Sequence, residues 1–169
     1  MKGNSTAFAL AALALLAPAS SAHGQATTAS DEMRVAQFFV GTWSCAHTVG
    51  DFSGTYTTKI TNSLDNRWLE QTYDFPATSE RAPVHAEYFI GYDPRNDRWI
   101  RFGAMSDGLY FAMTAKRSGN TWPWTYVLPG TNGSAVYTKN SDSQYTVDGP
   151  TYMENGKQVT EHHTCTKTS

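Results

Sequence analysis

The feature that most constrains this chain is a repeating punctuation. From Thr42 onward, turn-forming residues recur about every ten positions. They fall at Gly50-Asp51 through Gly54, Asp65-Asn66, Pro94 to Asp97, Asp107-Gly108, Gly119-Asn120 and Asn155-Gly156. Gly, Asn and Asp accept the backbone angles of tight turns. Between them run stretches rich in Thr, Tyr, Trp, Phe and Val, which suit a pleated, half-buried surface. The spacing predicts ten strands, at 42–49, 55–64, 67–75, 84–93, 98–105, 109–117, 121–128, 134–141, 145–153 and 157–167. Only 76–83 and 129–133 read as longer loops. Short links between successive strands make an antiparallel meander. About ten twisted strands curl and close rather than stay flat. The expected fold is all-β: a single up-and-down antiparallel β-barrel over residues 31–169, opened by a short helix.

The helix is read from Ser30 as cap, with Asp31 and Glu32 in the first turn, where the helix dipole favours anions. Met33, Ala36 and Phe39 give it one apolar face, and Gly41 ends it. Residues 23–30 are small and polar and read as a flexible N-terminus.

Ahead of this segment stands a secretory signal. Met1 and Lys2 form the positive start, and Ala7 to Ala19 (AFALAALALLAPA) form an apolar stretch too short to span a bilayer. Small residues at Ser20 and Ala22 predict cleavage before His23, with Gly24-Gln25-Ala26 as a second candidate site, and residues 1–22 are assigned as signal peptide. No cysteine follows that position closely, so no lipid anchor is expected. The expected location is periplasmic or secreted. A formal charge of −2 leaves no basic field for nucleic acid or an anionic membrane.

Export bears on the two cysteines, Cys45 and Cys165, 120 residues apart near the two ends of the mature chain. In an oxidising compartment an isolated pair predicts one disulfide. That bond requires the first and last strands to be neighbours, which barrel closure supplies. One pair of cysteines builds neither a zinc site nor a C-x-x-C redox motif.

Strand side chains alternate between two faces. The threonine-rich faces suit solvent, which puts Trp43, Cys45 and His47 inside with Glu161, His163 and Cys165. On the second strand Tyr56, Thr58, Ile60 and Asn62 point in. Leu69, Gln71, Tyr73, Leu109, Phe111, Met113, Trp122, Trp124, Tyr126 and Leu128 complete the interior. The strands at 84–93 and 98–105 carry aromatics on both faces, so the facing of His85, Glu87 and Arg101 is open. The interior is aromatic and partly polar, and a barrel of this size can hold a small ligand. Trp43, Tyr56, Gln71, Tyr73, Phe111, Trp124, Tyr126 and His163 are the candidate ligand-binding residues. Trp122-Pro123-Trp124 reads either as a ligand platform or as core packing, with Pro123 marking an edge, bulge or rim.

Gly41-Thr42-Trp43 is a G-x-W at the start of the first strand, after a helical turn. It resembles the opening of calycin-type barrels: lipocalins, fatty-acid-binding proteins and nitrobindin-like proteins. In lipocalins a late basic residue covers that tryptophan, and the resemblance points to Lys167. Gly91-Tyr92-Asp93-Pro94, followed by Trp99 and Phe102, is similar to a hairpin of a secreted bacterial barrel family of unknown function. The nitrobindin-like resemblance also implies a haem held by one late-strand histidine, matching His163 or His162. Against it, Cys45 and His47 stand where that family continues with glycines.

Catalytic candidates are few. His47, Glu161 and His163 form either a metal or acid–base cluster or a set of mutually satisfied side chains at the pocket mouth. No H-E-x-x-H spacing marks a metal site, so no metal and no resident cofactor is assigned. No G-x-S-x-G elbow supplies a nucleophile. The leading expectation is a non-enzymatic exported barrel that binds a small apolar or amphipathic molecule. A periplasmic enzyme using the His/Glu cluster and a filled structural barrel are the alternatives.

Overall fold

The fold is seen in a computed structural model that describes residues 28–77, 82–128, 133–154 and 156–169. The predicted signal peptide, the cleavage position before His23 and residues 23–27 lie outside the described residues. Residues 78–81 and 129–132, within the two longer loops, do so as well.

A helix, α1 (Ala29–Ala36), continues into a 3-10 turn (Gln37–Phe39). Ten strands follow: β1 (Gly41–Val49), β2 (Phe52–Ser63), β3 (Trp68–Phe75), β4 (Val84–Asp93), β5 (Arg98–Met105), β6 (Tyr110–Ala115), β7 (Thr121–Leu128), β8 (Ser134–Ser141), β9 (Gln144–Glu154) and β10 (Lys157–Lys167). Each pairs antiparallel with its sequence neighbours, and β1 pairs with β10, so the barrel is closed. The predicted fold class is therefore the observed one. Cys45 faces Cys165 in the β1–β10 register, and the two form a disulfide. No helix among the described residues is long and apolar enough to cross a membrane.

The helix starts two residues earlier than Ser30 predicts. Thr28 is the cap, and its hydroxyl accepts from the Asp31 amide at 3.2 Å. The expected apolar face is present: Met33, Ala36 and Phe39 are buried against the near end of the barrel. Glu32 is buried as well. It accepts from the Trp99 indole at 2.9 Å and takes two bonds from the Arg117 guanidinium at 2.8 and 2.7 Å. These bonds fasten the helix as a plug. Beneath it Trp43 donates its indole N–H to the Phe39 carbonyl at 2.8 Å, and Lys167 lies 5.2 Å over the Trp43 ring. Lys167 thus covers the tryptophan as the lipocalin resemblance implies. Gly41 begins β1 at φ 140°, and a Cβ there would sit 2.5 Å from the Ser169 carbonyl. The glycine of G-x-W is what lets the chain end close on the first strand.

The inward assignments hold for most of the barrel, with three corrections. Leu109 precedes β6 and sits exposed at the rim. Leu128 is exposed because the β6–β7 pairing steps from Ala112↔Leu128 to Met113↔Tyr126, and the extra residue Val127 reverses the faces beyond it. Asn62 belongs to the inward set of β2 but lies past the wall, where its amide exchanges hydrogen bonds of 2.9 and 3.0 Å with Gln37. Pro123 is exposed between buried Trp122 and Trp124. The β6–β7 ladder ends at Ala115↔Trp124, so its missing N–H costs no bond on that side.

The structure also settles β4 and β5. Val84, Ala86, Tyr88 and Ile90 point in, as do Trp99 and Arg101, while His85 and Glu87 face solvent. Both strands carry aromatics on two faces because a second cluster lies outside the wall. Phe102 stands 5.7 Å from both Trp68 and Phe89, ring centre to ring centre.

Candidate functional site

Strand direction sorts the interior into two ends. β1 starts under the helix plug and finishes at Val49 on the far side. Near the plug the rings fill the space: Phe39, Trp43, Trp99, Trp122 and Tyr145 meet edge to face, with centres 4.8–6.3 Å apart. A void of about 20 Å³ lies there, bordered by Gln71, Trp124 and Arg101 among others. The far half is different. It holds a cavity of about 470 Å³ that opens away from the helix. That volume lies within the range of about 300–1,000 Å³ common for small-molecule sites.

Of the predicted ligand-binding residues, Tyr56, Tyr73, Phe111, Tyr126 and His163 line this cavity, with Glu161 beside them. Trp43, Gln71 and Trp124 do not. Trp43 is sealed under the plug, and Gln71 and Trp124 lie below the cavity floor. Trp122 and Trp124 pack in the core.

The floor is Arg101, which is 6% exposed. Its guanidinium donates to the hydroxyls of Tyr137 at 2.8 Å and Tyr73 at 3.0 Å, and to the Gln71 amide oxygen at 3.4 Å. Tyr88, Phe111, Tyr137 and Tyr73 surround it, their ring centres 4.6–5.9 Å from the guanidinium carbon. Cation–π attraction and three neutral acceptors hold the charge. None of the ion pairs among the described residues involves Arg101, and its Nε has no hydrogen-bond partner. Arginine stays charged in proteins, and a buried charge is ordinarily matched by an opposite one. Burial pushes the Tyr56 and Tyr73 phenols well above the usual tyrosine range, so neither supplies an anion. The facing of Arg101 is what sequence alone left open, because its register against β4 turns it inward. Tyr88 was left open with the rest of β4, and Tyr137 on β8 was not singled out.

At the mouth, β1 and β10 bring His47, Glu161 and His163 together. His47 and His163 are register partners with rings stacked 4.4 Å apart. His163 Nε2 lies 3.3 Å from Glu161 Oε2, and His47 Nε2 lies 3.7 Å from the same oxygen. His47 Nε2 is buried and has no hydrogen-bond partner. His163 Nδ1 meets the Tyr56 hydroxyl at 2.9 Å. Burial alone would raise the Glu161 carboxyl, but the two imidazoles hold it well below the usual range. Burial lowers His163, the Glu161 hydrogen bond opposing it. His162 points outward and pairs with Asp148 at 2.8 Å.

This arrangement does not fit a haem on His163. An axial histidine offers one free ring nitrogen to the iron, with open space for the porphyrin beyond it. Here Glu161 faces Nε2 at 3.3 Å, where the iron would sit, and His47 covers the ring face. His162 is on the outer surface. No protein-family model and no curated protein sequence matches the chain.

Proposed function

We propose that this chain is an exported, calycin-like binding protein. It holds one small amphipathic molecule, apolar along its length and anionic at its head. The observation that carries this reading is Arg101, a buried cation without a counter-ion among the described residues, at the floor of an aromatic cavity of about 470 Å³. A carboxylate entering tail-outward would supply the missing charge and accept from the Tyr73 and Tyr137 side of the cluster. Charge-assisted hydrogen bonds of this kind are roughly twice as strong as neutral ones. The aromatic walls would cover the apolar body, at about 25 cal/mol per Å² removed from water. Export rests on the N-terminal leader and agrees with the Cys45–Cys165 bond, which persists in oxidising compartments.

The test is titration of the purified protein with a fluorescent long-chain fatty acid and with its methyl ester. Saturable binding at one site per chain, at least tenfold tighter for the acid, is the expected result. Absence of saturable binding by either probe would overturn the reading.

A further inference from the structure

The mouth cluster has chemistry that the ligand reading does not use. His47, Glu161 and His163 each present a donor atom, and the three atoms lie within 4.8 Å of one another. Donors around a tetrahedral zinc-class ion, at bond lengths near 2.0–2.1 Å, stand roughly 3.3 Å apart. The Glu161 oxygen is 3.3 Å from one imidazole nitrogen and 3.7 Å from the other. Two edges of the triangle are therefore close to that spacing, and the third is within 4.8 Å.

The buried Nε2 of His47 adds to this. It is a polar atom aimed into the cluster with no hydrogen-bond partner, an arrangement that costs free energy unless something else binds it. Tyr56 supplies the outer contact that metal-bound histidines usually have. Its hydroxyl meets His163 Nδ1, which leaves Nε2 on the Glu161 side of the ring. The backbone is held too. The Cys45–Cys165 bond lies two residues from the His47–His163 pair on the same two strands and fixes their register.

We propose that His47, His163 and Glu161 bind one divalent zinc-class cation at the cavity mouth, with a fourth position open to the cavity. Two imidazoles and one carboxylate suit zinc and its neighbours rather than calcium or magnesium, which take all-oxygen shells. Glu161 and His163 line the cavity, so the open position faces whatever enters it. The site stands apart from the Arg101 floor and does not depend on the ligand reading.

The experiment uses the full chain after chelator treatment, titrated with Co²⁺ and followed by its visible absorption, then displaced with Zn²⁺. One equivalent should bind, with the intense bands of four-coordinate cobalt. Glu161→Gln should weaken binding at least about tenfold, and His47→Ala should abolish it. His85→Ala, which alters the exposed His85–Asp74–Glu87 group, should change nothing. In the unaltered protein, Zn²⁺ should shift the imidazole nitrogen signals of His47 and His163 but not of His162, a readout that needs no variant to fold. No saturable binding, binding that survives His47→Ala, or loss through His85→Ala would overturn the proposal.

Discussion

The guanidinium carbon of Arg101 lies 4.6 Å from the centre of the Tyr88 ring, and the nearest acceptors to its charge are neutral. This relationship separates function from stability. A buried charge with no opposite charge beside it carries an uncompensated desolvation cost, which an apolar side chain of similar volume removes. Arg101→Met should therefore leave the thermal midpoint unchanged or raise it. It should also abolish the preference for a carboxylate probe over its ester. Calorimetry and probe titration on the same variant check both. A variant that is strongly destabilised yet keeps the preference would make Arg101 a packing residue.

Gly103 faces the Tyr88 ring across the β4–β5 pair. A Cβ at this position would lie 2.0 Å from the Glu87 carbonyl and 2.3 Å from Tyr88 Cδ1. Gly103→Ala must shift the backbone or push Tyr88 off Arg101. Overpacking of this kind costs about 1–3 kcal/mol. Denaturant unfolding should show that loss, and probe affinity should fall with it.

Glu32 ties α1 to Arg117 and Trp99 from 85 and 67 residues away. The Arg117 hydrogen bonds hold its carboxyl below its ordinary value, against the opposing effect of burial. A carboxyl lowered in the folded state adds stability above its unfolded pKa, about 4.3, and that stability is lost as pH falls through the folded value. Glu32→Gln should cost about 2 kcal/mol at pH 7. That is less than a fully buried pair, because Arg117 keeps some contact with water. The difference from the unaltered chain should shrink below about pH 4. Melting curves from pH 7 to pH 2 test this, and a difference independent of pH would remove the ionic account.

The Cys45–Cys165 bond closes a loop of 120 residues. Loop entropy puts its contribution at about 4–5 kcal/mol at most. The double variant Cys45→Ala, Cys165→Ala should lose about 2–4 kcal/mol in urea while keeping its far-ultraviolet spectrum, since the β1–β10 ladder remains. Loss of the spectrum in water would mean that the disulfide, not the ladder, closes the barrel.

The ten strands were legible because a two-residue side-chain period and recurrent turn residues are local signals. The same holds for the disulfide, since two cysteines in a closed meander have one partner each. Alternation failed where the local period broke. The bulge at Val127 sent Leu128 outward, and Asn62 ran past the wall to meet Gln37. It was mute where both faces were aromatic, as on β4 and β5, because the outer Trp68–Phe89–Phe102 group mimics a core. Within the mouth cluster, Glu161 and His163 were readable as an i, i+2 pair and His47 as their neighbour once closure was assumed.

By itself, then, the sequence determined the barrel, its order of strands, the covalent clasp and the approach of His47 to His163. Each follows from short-range periodicity together with a closed ring of neighbours. Only the tertiary structure decided that Glu32 is buried, that the near end is filled and the far end hollow, and that Arg101 is the floor between them. Those outcomes depend on which of several apolar faces wins burial. That is decided by the summed packing of residues far apart in the chain, and no local pattern carries it.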